Sequence, residues 1–536
     1  MDEIVKKYVL HNSVKYEKID VNSVMGKIIA ERPEVKKDIK SLMKKINDAV
    51  KEISKFDIEE RKVMLEKYDF EKKDERRELE IENVKGKVVM RFAPNPNGPI
   101  HIGHSRQVIL NSYFSDKYNG NFILRLDDTD AKVKTPMKEA YRMIEDDIKW
   151  LGVKISKVIK QSSRFEIYYK YAEELIKKGY AYVCTCKNFK ELVDKSIECE
   201  CRNLSVDENL KRWNLMFSKY KEGNAVLRIK TDINDKNPAV RDWPAFRIID
   251  KGYHPLKKAK VWPLLNFASA IDDHEFDITH IVRGIDLRIS DDRQGYIYRY
   301  LNFGKYPETI YTGKLLFKDL KSTSDIKKLI EEKKLEGWDD VRLGTIMALR
   351  RRGFKAEAIR NFIMSMGLNR NDVHVDISNL ESFNKDIIDK NSNRYFVVFN
   401  PIRIKIEKSP RLNVKIPLHP EFERGFRNFK VEDEFYIQDK LEKDKLYRFM
   451  HLFNFINNKY ASKELDKNAK LIHWLPASND LVDVEVLMND NSIKKGLGEN
   501  SLNKIKVGTI VQFERNFFAI LERKSKDNLF FVYTHR

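Results

Sequence analysis

The chain has 536 residues, with 102 Lys plus Arg against 82 Asp plus Glu and a formal charge of +20. That length allows several domains and a large core, and the cationic excess suits a protein that binds a polyanion. No apolar run approaches the roughly 20 residues of a membrane-spanning helix, and Met1-Asp-Glu-Ile opens no basic-then-apolar leader, so a cytoplasmic chain without a secretory signal is expected.

Residues 1–85 read as helical. Ile39, Leu42, Met43, Ile46, Val50 and Ile53 recur at helical spacing, which gives an apolar face that packs on its own domain or on a partner. From 86 to about 320 the pattern alternates strands and helices, as a parallel, nucleotide-binding α/β sheet does. Val88 to Phe92 reads as a strand, Ser105 to Asn119 as a helix and Phe122 to Leu126 as the next strand. Helices follow over Met137 to Trp150 and Phe165 to Lys178. Between the first strand and helix runs Arg91-Phe-Ala-Pro-Asn-Pro-Asn-Gly-Pro-Ile-His-Ile-Gly-His104. Its prolines and Gly98 turn the chain. His101 and His104 fall at the helix start, where unpaired N–H groups and the positive dipole end suit phosphate. Imidazole N–H groups can also donate to phosphate oxygens as charge builds up.

An irregular insertion spans about 184–275. Every cysteine of the chain lies there or at its edge, as Cys184-Thr-Cys186 and Cys199-Glu-Cys201. Two Cys-x-Cys pairs across a short loop can converge as four thiolates on tetrahedral zinc, and a closed thiolate site is structural rather than catalytic. Ile278 to Val282 returns as a strand. Residues 321–392 read as a helical connector containing Ala348-Leu-Arg-Arg-Arg-Gly353. From 393 to 536 short strands dominate, among them Tyr395 to Phe399, Ile402 to Ile406, Leu481 to Leu487 and Phe517 to Leu521. They suggest antiparallel β-barrels, with a helix expected over Leu446 to Asn458. Phe422, Arg424, Phe426 and Arg427 serve either RNA stacking or barrel core.

The 91–104 run closely resembles the ATP-binding signature of class I aminoacyl-tRNA synthetases. Further segments resemble the glutamyl- and glutaminyl-tRNA synthetase group, most closely its archaeal glutamyl type. They are Arg125-Leu-Asp-Asp-Thr-Asp130, Trp262-Pro-Leu-Leu-Asn266, Thr279-His-Ile-Val-Arg-Gly284, Gly337-Trp-Asp-Asp340, His473-Trp-Leu-Pro476 and Val511-Gln-Phe-Glu-Arg515. The resemblance implies a multidomain chain with a Rossmann-like class I catalytic domain, a helical connector on the tRNA stem and a β-barrel anticodon domain. It implies two-step charging: ATP with Mg²⁺ activates glutamate as the adenylate, and the tRNA ribose then accepts the glutamyl group. Carried over residue by residue, His101, Gly103 and His104 hold ATP. Arg91 and Arg283 face the side-chain carboxylate, which a guanidinium matches bidentately. Asp127 takes the α-ammonium, and Ala93, Trp262 and Asn266 line the same pocket. Arg350, Arg351 and Arg352 contact tRNA.

Two arginines favour glutamate over glutamine, because a neutral amide would leave buried charge unpaired. A glutaminyl enzyme and a tRNA-binding paralogue without catalysis are the alternatives. The second keeps its place because of the second ATP loop, where such synthetases carry a lysine after small hydroxyl residues. Here Leu320-Lys321-Ser322-Thr323-Ser324-Asp325 presents an aspartate instead, and a carboxylate beside triphosphate is unfavourable. Lys321, Ser322 and Ser324 are the candidate ATP contacts, with Lys321, Lys327 or Lys328 expected to supply the missing charge. A monomer is expected, its N-terminal helices being the candidate surface for a protein partner.

Overall fold

The computed structural model describes residues 2–16, 19–68, 78–317, 321–478, 480–525 and 528–536. Two compact units divide the chain, 1–78 and 79–536. The first contains the helices Asp2–Tyr16, Val21–Glu31, Ile39–Ile53 and Ile58–Glu66. Asp38 starts the third by accepting the Ser41 N–H, and Asp57 and Glu60 cap the fourth reciprocally, the arrangement that satisfies orphan N–H groups at a helix start. Of the apolar face expected here, Leu42, Ile46 and Ile53 are buried with Val5, Val9 and Val24, while Ile39 and Met43 stay exposed. The apolar stripe is wider than the contact it makes.

In the second unit, strands Val89–Phe92, Asn121–Leu126 and Lys157–Lys160 pair in parallel. Strand His280–Gly284 joins beside the first of them through the Thr279 N–H to Val89 carbonyl bond of 3.0 Å, and pairs in turn with Glu308–Thr312 in parallel. The first two strands are buried on both faces almost throughout, as crossover helices require. Gly120 is needed at the turn between them, since a Cβ there would stand 2.0 Å from the Val88 carbonyl oxygen. The helix Ile102–Lys117 is locked to the sheet by Asn111, which donates to the Val282 carbonyl at 2.9 Å and accepts its N–H at 3.0 Å. The insertion is an antiparallel sheet of Ala181–Cys184, Val226–Ile229, Pro244–Ile248 and Val261–Pro263 with its own core around Trp213, Trp243 and Phe246.

Helices Ile346–Arg351, Ala356–Met366 and Ile377–Ile388 follow, with Leu315–Phe317 and Val373–Val375 paired in parallel beside them. Beyond 392 the chain is β-structure. A seven-stranded sheet runs in the order Asn393–Tyr395, Ile510–Phe513, Phe517–Lys524, Asn528–His535, Val482–Leu487, Ile493–Gly498, Val397–Phe399. Its two edges are consecutive pieces of residues 393–399, so the sheet nearly closes on itself. A second apolar cluster around Phe435, Phe449, Phe453 and Trp474 fills the neighbouring β-region.

The helix expected over Leu446 to Asn458 is a correction. Leu446–Phe449 and Asn454–Ile456 form an antiparallel hairpin, extended by Lys459–Ser462. Leu446, Phe449, Met450 and Phe453 mimic helical spacing, but His451, Asn457 and Asn458 take positive φ of 61°, 47° and 60°, which makes turns rather than helix. No helix among the described residues is long and apolar enough to cross a membrane.

Candidate active site

His101 is the N-cap of the Ile102–Lys117 helix. Its Nδ1 accepts the Gly103 N–H at 3.0 Å, and its own N–H donates to His104 Nδ1 at 3.4 Å. The rings stack 3.7 Å apart. Burial pushes the His101 imidazole down to about 4, and burial, His101 and Lys134 hold His104 well below the usual range. Both are therefore neutral. With each Nδ1 accepting, the ring proton sits on Nε2, an N–H donor for a phosphate oxygen. The expected row of free helix amides is corrected: Ile102 N–H donates to the Gly344 carbonyl at 2.9 Å and Gly103 N–H to His101. The donors left at this helix start are the two imidazole Nε2–H groups, beside the positive end of the helix dipole.

Charged side chains converge at the carboxyl ends of the neighbouring strands, where ligands of such sheets bind. Arg91 grips Asp273 with its Nε and Nη2, at 2.7 and 2.9 Å. Arg125 bonds the same Asp273 at 2.6 Å, Asp127 at 2.7 Å and Ser269 Oγ at 2.9 Å. Burial alone would raise the Asp273 carboxyl, but Arg91 and Arg125 outweigh it and hold it at about 2. Asp127, predicted for an ammonium, is thus joined to Arg91 through Arg125 and Asp273. Arg283 is only 5% exposed and meets Asp291 at 2.6 Å through Nη1, while its Nε and Nη2 have no partner among the described residues. Tyr306 and Tyr311 also donate to Asp291. Arg283 lies close enough to Asp273 to help depress its carboxyl, so both predicted arginines belong to one cluster.

Trp262 is buried, donates to the Ala259 carbonyl at 2.9 Å and meets Phe165 edge-on. Asn266 accepts from Gln294 at 3.4 Å. Ala93 is half-buried, just beyond the first strand. Asp273 was not assigned a role by sequence; the signal was present in Asp272-Asp273 directly after the small and apolar run Phe267-Ala-Ser-Ala-Ile271 of the helix Leu265–Glu275. Its neighbour Asp272 takes Arg164 at 2.7 Å and Tyr168 at 2.7 Å on the other side.

The second loop meets the first. A Cβ on Gly98 would lie 2.4 Å from Thr323 Cγ2 and 2.8 Å from Trp338, so only glycine permits that approach. Leu320 lies outside the described residues. Ser322 caps the helix Thr323–Glu331, accepting the Asp325 N–H at 3.2 Å and donating to Asp325 Oδ2 at 2.6 Å. Asp325 is thereby explained as a first-turn acid, favoured by the helix dipole. Lys321 and Ser324 are exposed.

Cys184, Cys186 and Cys201 converge, their sulfurs within 4.8 Å of one another. Cys199 touches Cys184 at 3.8 Å, and Cys186 touches Cys201 at 3.6 Å. Sulfurs about 2.3 Å from one tetrahedral ion stand roughly 3.8 Å apart, so these thiols fit zinc, with Cys199 at the margin of the group.

The arginine run divides. Arg350 is exposed. Arg351 pairs with Glu522 at 2.6 Å. Arg352 is 6% exposed, donates to the Thr534 carbonyl at 2.8 Å and lies 3.6 Å from Glu381. Its expected contact with tRNA is corrected: it braces the connector against the barrel. In the barrel region Phe426 is 65% exposed and Phe422 is also exposed, with Arg424 over the Phe422 ring at 5.7 Å. Arg427 is buried between Glu499 and Glu514, at 2.8 and 2.7 Å, and belongs to the core.

Residues 87–390 match the catalytic domain of the tRNA synthetases class I (E and Q). Residues 392–474 and 471–522 match anticodon-binding domains of the same group. The glutamate–tRNA ligases of Methanocaldococcus jannaschii and Pyrococcus furiosus are each 42% identical, over 559 and 575 aligned residues, covering 100% of both chains. That of Archaeoglobus fulgidus is 43% identical over 566 residues with the same coverage.

Proposed function

We infer from its membership of the class I tRNA synthetases for glutamate and glutamine, the family to which this chain belongs, that it joins L-glutamate to tRNA(Glu). ATP activates the α-carboxylate as glutamyl-adenylate with release of diphosphate. The terminal ribose of tRNA then takes the glutamyl group and AMP leaves. Mg²⁺ accompanies the triphosphate and offsets its charge. The protein's part is to position its substrates and stabilise developing charge. His101 and His104 present Nε2–H donors to phosphate, and Gly103 leaves room for nucleotide beside the backbone. Asp127 would take the α-ammonium, with Trp262, Asn266 and Ala93 as pocket walls.

The observation that carries the choice of glutamate is the unpartnered Nε/Nη2 edge of buried Arg283. That edge is the same fork by which Arg91 holds Asp273. A carboxylate fills it with two acceptors, whereas an amide turns one donor toward a cation. Asp325, engaged by the Ser322 cap in the first turn of its helix, gives no support to a non-catalytic paralogue. The test is charging of total archaeal tRNA with ATP, Mg²⁺ and labelled glutamate, with glutamine in parallel. Glutamate incorporation is expected. Glutamine alone would overturn the specificity argument, and neither, with tRNA still bound, would leave a binding paralogue.

Cys184, Cys186, Cys201 and Cys199 would hold a structural zinc that ties the insertion's first strand to the loop at 199–201. Metal analysis of the chain purified without chelator should find zinc at about one equivalent, the stoichiometry of a closed thiolate site. Cys186→Ser with Cys201→Ser should abolish it. Metal-free protein whose thiols all react freely with a thiol reagent would refute the site. We read the chain as a cytoplasmic monomer, with exposed Arg350, Phe422 and Phe426 as its RNA-facing candidates.

A further inference from the structure

We propose that Lys134 is the cation that faces the ATP triphosphate, a role that no motif of the chain assigns; the proposal rests on the synthetase reading above. The need for such a group follows from the site itself. His101 and His104 are neutral and bring hydrogen bonds without charge. Arg91 and Arg125 are held by Asp273 and Asp127, and Arg283 is held by Asp291 through Nη1 with its other edge assigned to glutamate. The second loop contributes a carboxylate, Asp325, where a cation would help.

The segment carrying Lys134 is tied to the first ATP loop at both ends. Asp127 N–H donates to the Pro94 carbonyl at 2.9 Å, and Met137 N–H to the Pro96 carbonyl at 2.8 Å. Asn95 Nδ2 adds a bond to the Asp127 carbonyl at 3.2 Å. Between these ties the Asp130 carboxylate accepts the backbone N–H groups of Lys132, Val133 and Lys134 at 3.0, 3.0 and 3.1 Å, which fixes the turn. Lys132 is engaged with Glu222. Lys134 is exposed, meets no carboxylate among the described residues, and its charge acts on the buried His104 ring. Met137 packs into the cluster of Ile326 and Trp338, so the second loop's helix closes on this same place. A lysine there is a point charge on a flexible stem, suited to follow a phosphate from ground state to transition state.

Charging by the full-length enzyme at varied ATP tests this, together with calorimetry of a non-hydrolysable ATP analogue. Lys134→Ala should lower kcat/KM for ATP about 10- to 100-fold, the value of a charge-assisted contact, and weaken the analogue. KM for glutamate and direct tRNA affinity should stay within about threefold. Lys134→Arg should keep most of the activity. Unchanged ATP kinetics in Lys134→Ala, a loss confined to tRNA affinity, or an equal loss appearing only in Lys321→Ala would overturn the assignment. A wild-type chain that binds the analogue through Lys134 but charges no glutamate would strike the synthetase reading and leave Lys134 in place.

Discussion

Arg283→Ala is expected to lower kcat/KM for glutamate by about a thousandfold, the loss a site built on charge-assisted hydrogen bonds shows when the group is deleted. Arg283 is buried, yet only Nη1 is used, on Asp291. Several other arginines leave one buried nitrogen without a partner among the described residues, but Arg283 leaves both Nε and Nη2, a whole edge, which points to a ligand. A glutamate side chain restores the balance. The fold should survive the change, because Asp291 keeps the hydroxyls of Tyr306 and Tyr311. KM for ATP is therefore expected to hold while glutamate kinetics collapse. Arg283→Lys should recover only part, since an ammonium cannot form the two-pronged contact. Charging rates at varied glutamate and varied ATP decide it: equal loss in both would make Arg283 a structural brace instead.

Much of this site could be read from the chain because its parts are local. Strand, prolines, Gly98 and two histidines stand within 88–104, and the cysteine pairs within 184–201. Periodicity likewise placed the strands at Val89–Phe92, Asn121–Leu126 and His280–Gly284 and four barrel strands of 481–533, while the lysine-containing Lys157–Lys160 and Ile493–Gly498 escaped it. What escaped was non-local or masked by composition. The Ile102 amide is spent on Gly344, far along the chain. Arg352 looks like its neighbours Arg350 and Arg351 in sequence, and only the approach of Thr534 and Glu381 buries it. Arg427 is likewise removed from the surface by Glu499 and Glu514. The hairpin at 446–456 was hidden because apolar residues at helical spacing also suit a strand buried in a crowded aromatic core. Asp325 reads as a defect if the loop is compared alone, and as the first-turn partner of the Ser322 cap once the helix that contains it is seen.

Asp273→Ala should cost about 3–5 kcal/mol in the catalytic sheet, the penalty for removing one partner from a buried ionic network. Asp273 is 0% exposed and is the only described carboxylate that bonds both Arg91 and Arg125. Without it Arg91 loses its bonded carboxylate among the described residues and Arg125 keeps Asp127. Hydrogen exchange should show the loss where it arises, as faster opening of Val89–Phe92 and Asn121–Leu126, because the arginines leave from those strands. The sign with pH follows from the depressed carboxyl. Its folded value of about 2 lies below the unfolded 3.8, so its stabilisation is fully present above 3.8 and fades as pH falls through 2. At neutral pH the whole difference between wild type and variant is therefore visible. The same change releases Arg91 from its fixed fork, so glutamate KM should rise together with the faster exchange. Faster exchange with unaltered glutamate KM would show that Arg91 supports the sheet and does not serve the substrate. The two arginines would then have different tasks, with Arg283 alone reading the side-chain carboxylate.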